Sequence, residues 1–427
     1  MTLWPAFLMF LLLAINVPVA IAMIAPAMLY FFIGGDLPID LVSQRIVSTT
    51  ESFPLLALPF FVLAGSIMNA AGITRRLLAL AEAFVGHFVG GLAQINILLA
   101  TMMGGLTASA NADAAMLAKM LGPSMVRGGY SAGFAAATIA CSSVIVAMIP
   151  PSIGMIVYAY LANVSVGKLF IAGVIPGLLL AVALMVAVYL VSKKRGYVPA
   201  RSKMATGKEL WRAFTDSVWA LSLPVFIIIG IRGGVFTPTE AGAIAVLYAA
   251  FVGVVLHREL RWKHVPIILS ETIATTSVVM LIICSAATLG YYMVWEDIPA
   301  QLASTLISLT NHPGLLLLLI NVLLLLVGMV IEGTAALILL TPILVPVILK
   351  LGIDPVHFGI IMVLNLTLGG AHPPVGTLLF TTCSILKVSL ANATKESLSL
   401  LLAMLIVLTL VTAVPQISLL LPSLLMQ

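Results

Sequence analysis

SSVIVAMIPPSIGM at residues 142–155 and NLTLGGAHPPVGTLLF at residues 365–380 each set a Pro-Pro pair inside a long apolar run. Proline removes an amide that an α-helix uses, and it disfavours helical backbone in the residue before it. Both runs must therefore unwind at Pro150-Pro151 and at Pro373-Pro374, partway along a segment hydrophobic enough to enter a bilayer. Unpaired backbone groups are costly in hydrocarbon, so irregular backbone at that depth belongs where it is buried in protein or lines a cavity. Two broken helices in matching contexts make these stretches the centre of the reading.

The composition around them fits a lipid solvent. Of 427 residues, 62% are hydrophobic and 8% charged, against about a quarter charged in ordinary soluble domains, and the mean hydropathy is +1.21. The net charge of +5 is gathered in a few short segments, which is topology information and not a nucleic-acid signal. Cys141, Cys284 and Cys383 lie far apart in apolar stretches and read as packing residues. The N-terminal stretch lacks the basic start of a signal peptide and is longer than its apolar core, so it reads as a retained first span.

Apolar runs long enough to cross about 30 Å of hydrocarbon fall at 4–32, 50–71, 133–160, 168–192, 239–257, 272–295, 357–382 and 398–422, with a shorter ninth at 218–232. Two further runs, about 90–126 and 313–350, are too long for one span and are interrupted by small polar residues, the pattern of re-entrant helical hairpins. Arg75, Arg76, Lys119, Arg127, the segment 193–212 and Arg258, Arg261 and Lys263 mark one side as cytoplasmic. Nine spans then put the N-terminus inside and the C-terminus outside, with the two hairpins entering from opposite sides.

A basic linker at 193–217 divides the chain into 1–192 and 218–427, and the halves repeat. Asn96 recurs as Asn321, Ala114-Ala115 as Ala335-Ala336, RGGYSAGFAAA is echoed by KLGIDPVHFGII, and Ser142, eight residues before its Pro-Pro pair, matches Asn365, eight before the other. Spacings of 221 to 225 residues join these pairs. With hairpins of opposite orientation this is an inverted-topology repeat, a construction of many secondary transporters. The fold class expected is therefore an all-α polytopic membrane protein with two opposed re-entrant hairpins and two discontinuous helices.

Four irregular stretches carry the chemistry: the tips GGLTASANADAAML (104–117) and GMVIEGTAALIL (328–339), and the two proline breaks. Freed carbonyls with Ser, Thr and Asn oxygens suit sodium, a hard cation. The half-helix starts near Asp113, Ser152, Thr334 and Val375 offer amides and partial positive charge to an anion. Asp113 reads either as a first-turn or capping carboxylate or as a sodium or proton site, and Glu332 carries the same two readings. His372 is a candidate for polarising a substrate carboxylate, for a proton site, or for a hydrogen-bonded neutral imidazole. Glu240, in TPTEAG, completes a capping box with Thr237 and has no functional reading. There is no HExxH or GxxxxGK[ST] motif in the sequence and no nucleophile and base pair is evident, so an enzyme or an ATP-hydrolysing subunit is not expected.

Residues 112–181, together with FTPTEAGAIAVLYA, VPVILKLGIDPVHFGIIMVLNLTLGGAHPPVGTLLF and the closing LPSLL, resemble the large membrane subunit of tripartite ATP-independent periplasmic (TRAP) transporters. The similarity runs over essentially the whole chain. It implies a multi-pass protein of the bacterial inner membrane that imports an organic acid, such as a C4-dicarboxylate, sialic acid or another sugar acid. Sodium is then the coupling ion, with no other cofactor, and the partners are a small four-helix membrane subunit and a periplasmic substrate-binding protein. The resemblance also implies an elevator movement of a hairpin-bearing transport domain against a scaffold. Carried over by motif, the substrate and sodium region falls on Ser109, Asn111, Ser142, Ser143, Pro150 and Pro151, and on Gly333, Thr334, Asn365, Gly369, Pro373, Pro374 and Gly376. Ala371-His372 stands where the family pattern has Leu-Thr, which removes one hydroxyl from the second break. A stand-alone sodium/dicarboxylate or citrate carrier is the nearest alternative; a channel, which would not accumulate substrate, is a more distant one.

Overall fold

The computed structural model describes residues 3–33, 40–107, 109–301, 304 and 313–426; Ala108 in the first tip and His312 lie outside the described residues. Every regular element among the described residues is a helix. Seven of these are long and apolar enough to cross a membrane, among them Val166–Arg195, Gly207–Arg232 and Leu390–Ala413.

The two hairpins and two broken helices form where the sequence interrupts its apolar runs. The first hairpin is α6 (Gly91–Thr107) and α7 (Ala110–Met120), extended by α8 (Gly122–Arg127). Helix α9 (Ala132–Ser143) tightens into a 3-10 turn at Val144–Ala147, breaks at the prolines, and resumes as α10 (Ile153–Ala162) before the long α11 (Val166–Arg195). In the second half the corresponding parts are a hairpin of α15 (Pro313–Gly328) and α16 (Gly333–Lys350), the broken pair α17 (Pro355–Gly369) and α18 (Thr377–Leu386), and the long α19 (Leu390–Ala413). Side-chain caps start these helices. Ser131, Ser165 and Ser389 accept from amides of α9, α11 and α19, and Asp354 accepts from Val356 and His357 at the start of α17. Each such cap is worth about 1 kcal/mol.

The remaining helices are α1 (Trp4–Ala14), α2 (Val19–Ile33), α3 (Asp40–Thr50), α4 (Ala57–Ala70), α5 (Ile73–Val85), α12 (Gly207–Arg232), α13 (Pro238–Phe251), α14 (Val265–Trp295) and the terminal α20 (Gln416–Leu425). Helix α4 packs on α13, α5 on α12, and α14 on α2 and α4. The expected capping box forms at the start of α13, with Thr237 accepting from Glu240 N and Glu240 from Thr237 N at 2.7 Å. A second box, Thr206 with Glu209, starts α12 ten residues ahead of the expected linker boundary, so the irregular linker is only 196–206.

Two expected spans are not continuous. The run 4–32 turns between α1 and α2, where Asn16 takes φ +64 and Pro18 supplies no amide; Asn tolerates left-handed backbone and proline cannot continue the preceding helix. The run 398–422 is likewise interrupted at Val414-Pro415.

The two halves interlock crosswise. Helix α7 of the first hairpin packs on α18, beyond the second break, and α16 of the second hairpin packs on α10, beyond the first. Helix α16 is buried over 61% of its apolar window, against 33% for α11, α12 and α14, so it runs inside the protein while the others turn most of their apolar surface outward.

Candidate substrate and cation site

At the first tip Ser109 is in extended backbone and its Oγ accepts from Ala112 N at 3.4 Å, making Ser109 the cap of α7. Asn111 follows in the first turn, its Oδ1 buried without a hydrogen-bond partner among the described residues. Asp113 is not the cap. It lies fully buried one turn into α7, close to the Thr107 hydroxyl, and neither carboxylate oxygen makes a hydrogen bond of good geometry among the described residues. At the second tip the cap is a carboxylate: Glu332 accepts from Ala335 N at 3.0 Å and from the Thr334 hydroxyl at 3.1 Å.

Behind the tips, the residues repeated between the halves bond to one another. Asn96 of α6 donates to Ser142 Oγ at 2.7 Å. At the matching place Asn365 of α17 donates to the carbonyl of Asn321 at 2.9 Å and to its Oδ1 at 2.6 Å. Ser142 and Ser143 also donate to the Ile139 carbonyl. Each pair ties a hairpin arm to the helix that breaks beside it. Ser142, Ser143 and Asn365 are fully buried, so they stand behind the cavity wall and not on it.

The breaks press against the hairpins backbone to backbone. A Cβ at Gly369 would lie 2.6 Å from the Gly328 carbonyl carbon, and one at Gly105 would lie 2.8 Å from the Pro150 oxygen, inside any real contact distance. Gly376 takes φ +52 and its amide donates to Met329 O at 3.0 Å, tying the second break to the second hairpin. His372 is half-buried and Nδ1 lies 2.6 Å from the Pro373 carbonyl. It does not line the cavity, and neither do Pro150, Pro151, Gly369, Pro373, Pro374 or Gly376.

What these supports surround is a cavity of about 710 Å³, within the range of small-molecule sites. Ser109 and Asn111 line it from the first tip, and Glu332, Gly333 and Thr334 from the second. The opposite wall is α14 from Ala274 to Ile282, with Pro18, Val19 and Ala20 at the start of α2. Ser152, Thr275, Thr367 and Thr377 also line it. None of these four is in the sequence-derived set, although Ser152 was legible as a half-helix start. It is buried, with its Oγ unpartnered among the described residues. No lysine or arginine lines the cavity among the described residues, and Glu332 is its one charged side chain. The starts of α7, α10, α16 and α18 all reach it, so the donors it offers are backbone amides and hydroxyls, a set suited to anions.

Comparison with known proteins agrees with this architecture. The family model described as "Tripartite ATP-independent periplasmic transporter, DctM component" matches residues 6–417. The chain is 40% identical over 413 residues to the sialic acid TRAP transporter large permease protein SiaM of Vibrio cholerae, covering 97% of this chain and 96% of that one. It is 39% identical over 379 residues to the C4-dicarboxylate TRAP transporter large permease protein DctM of Pseudomonas aeruginosa, covering 89% and 88%. Among solved structures, the YdaH transporter of Alcanivorax borkumensis shares the fold with a TM-score of 0.65 at 14% identity, over 96% of this chain and 98% of that one. A family match across nearly the full length, on a polytopic helical fold with paired hairpins and breaks, means that the chain belongs to the DctM family, the large permease component of the TRAP transporters.

Proposed function

We propose that the chain is the translocating subunit of a sodium-driven importer of an organic acid. A periplasmic binding protein delivers the acid and a small four-helix membrane subunit completes the assembly. The observation that carries this reading is the cavity itself: two hairpin tips and two resumed helices meet on one side of it, and α14 and the start of α2 close the other. The anion lies against the helix starts, where amides aim at it without a lysine or arginine. Sodium takes oxygen ligands from the tips, and the unpartnered Asn111 Oδ1 and Ser152 Oγ are polar groups that a bound ion or substrate would satisfy. Asp113, buried at the first tip with no hydrogen bond of good geometry among the described residues, is the group for which a cation brings the largest gain.

In this scheme the two halves are inverted repeats and α6–α11 with α15–α20 form a moving domain. Sodium orders the tips around the acid, and the loaded domain then slides against α2, α4, α13 and α14, so that the cavity meets opposite sides of the inner membrane in turn. The N-terminus is cytoplasmic and the C-terminus periplasmic. The acid is a sugar acid such as sialic acid, or a C4-dicarboxylate. Relatives of both kinds are almost equally similar to this chain, so similarity does not choose between them.

Uptake of labelled organic acids into liposomes holding this chain and its small subunit tests the proposal, with the binding protein outside and a sodium gradient imposed. Concentrative uptake that needs both sodium and the binding protein is the expected result. Uptake without the binding protein would identify a stand-alone carrier instead, and equilibration without accumulation would identify a channel.

A further inference from the structure

Away from the transport cavity, the turn joining α13 to α14 builds a second, strongly basic depression. Its sequence is HRELRWKH, residues 257–264. The amides of Glu259 and Leu260 both donate to the Gly253 carbonyl at 3.1 Å, and Arg258 sits at φ +54, so the turn has a defined shape. It rests against the α4–α5 corner. There Arg75 bonds both oxygens of Glu259 at 3.0 Å, and Arg76 reaches one of them at 2.8 Å while donating to Gly72 O. An open cavity of about 490 Å³ results, lined by Arg75, Arg258, Glu259, Arg261, Lys263 and His264.

The charge there is unbalanced. Glu259 is already held by two arginines, and no carboxylate lies within salt-bridge distance of Arg258, Arg261 or Lys263 among the described residues. The surroundings show what kind of anion fits. Phe251, Val254 and Val255 just before the turn and Ile267 just after it are exposed apolar side chains, and Trp262 within the turn is 90% exposed. Apolar side chains on the outer surface of helices that cross a bilayer meet acyl chains, and tryptophan settles at the headgroup level. A free anion would gain only from the basic side chains. A phospholipid gains from both, with its phosphate in the cavity and its chains along α13 and α14.

We propose that this depression binds the headgroup of an anionic phospholipid, at the leaflet marked by the basic segments of the chain. The site is independent of the transport cavity and of its substrate. Basic clusters next to membrane helices bind anionic headgroups with about fivefold in affinity per lysine or arginine, and salt weakens the attraction within a Debye length.

Native mass spectrometry of the full chain, released from detergent with phosphatidylglycerol or phosphatidylcholine, counts the retained lipid. Wild type should retain phosphatidylglycerol about tenfold better than phosphatidylcholine, and the preference should shrink as ionic strength rises. The triple variant R258Q/R261Q/K263Q should lose roughly a hundredfold in phosphatidylglycerol affinity, whereas K208Q/R212Q, neutralising basic residues at the start of α12, should leave it unchanged. Where the triple variant does not fold, R258Q, R261Q and K263Q taken singly should each lose about fivefold. Equal retention of the two lipids, or variants indistinguishable from wild type, would overturn the proposal. Displacement of phosphatidylglycerol by millimolar inorganic phosphate would overturn it too, by making this a site for soluble anions.

Discussion

At the second hairpin tip the carboxylate of Glu332 is fully engaged, with one oxygen on the Ala335 amide and the other on the Thr334 hydroxyl. At the first tip the carboxylate of Asp113 is buried beside the Thr107 hydroxyl with no hydrogen bond of good geometry among the described residues, while Ser109 does the capping. The tips occupy matching places in the two halves, yet one holds its acid in two good hydrogen bonds and the other does not. The supports behind them differ in the same graded way: a single bond from Asn96 to Ser142, a double one from Asn365 to Asn321. Similar backbone architecture therefore carries unequal chemistry, and the tips should respond differently to the same kind of change.

The largest effect is expected behind the second tip. Asn365→Ala strands the buried Asn321 Oδ1 and removes two bonds, at about 1–3 kcal/mol, whereas Ser142→Ala removes one and strands the buried Asn96 amide, and should fall at the low end of that range. Thermal unfolding of the two variants side by side measures the gap, and equal losses would erase the distinction. Next comes Asn111→Ala at the first tip, which should raise the sodium concentration for half-maximal uptake about tenfold, or about 1.4 kcal/mol of ion binding. An unchanged sodium titration would remove Asn111 from the cation site.

A smaller effect is expected from Glu332→Gln. The amide oxygen keeps one acceptor but not both, so the variant should lose about 0.5–1 kcal/mol of stability and retain uptake; loss of sodium dependence instead would give Glu332 the role proposed for the first tip.

The smallest effect lies outside the membrane, at Glu259. Burial pushes its carboxyl up, but Arg76 and Arg75 outweigh that and hold it below the ordinary carboxylate range. A group lowered in this way stabilises the fold above its unfolded titration, and that contribution is lost as pH falls through its folded value. Glu259→Gln should therefore cost a few tenths of a kcal/mol near neutrality and nothing well below about pH 4, where the two melting curves converge. A constant difference across pH would mean that packing, and not charge, makes the contact.

Much of this was legible in the sequence because proline and glycine announce broken backbone whatever surrounds them. The Pro-Pro pairs located both breaks, and interruptions by Ser, Asn and Thr located both tips. Asn96 and Asn321 stood out as repeated residues, but their partnership with Ser142 and Asn365 depends on two helices crossing at one height, which no spacing within a helix encodes. The far wall of the cavity was hidden for another reason. Helix α14 has several hydroxyl residues at 270–277, SETIATTS, and no proline or repeat partner among them, so nothing in the sequence singles out Thr275. The turn before α2 was masked by a long hydrophobic run, and its signal, Asn16 followed by Pro18, is local and easily outweighed by the apolar residues on either side.

Helix α7 rests on α18, and α16 rests on α10. Each tip therefore stands on two floors, the broken helix of its own half and the resumed helix of the other. A shift at one tip tilts the ground beneath its counterpart, much as two people gripping each other's wrists cannot lean independently. Under the proposed function, ion and acid would need no wire between them to act together, because reshaping either tip is already a change in the footing of both.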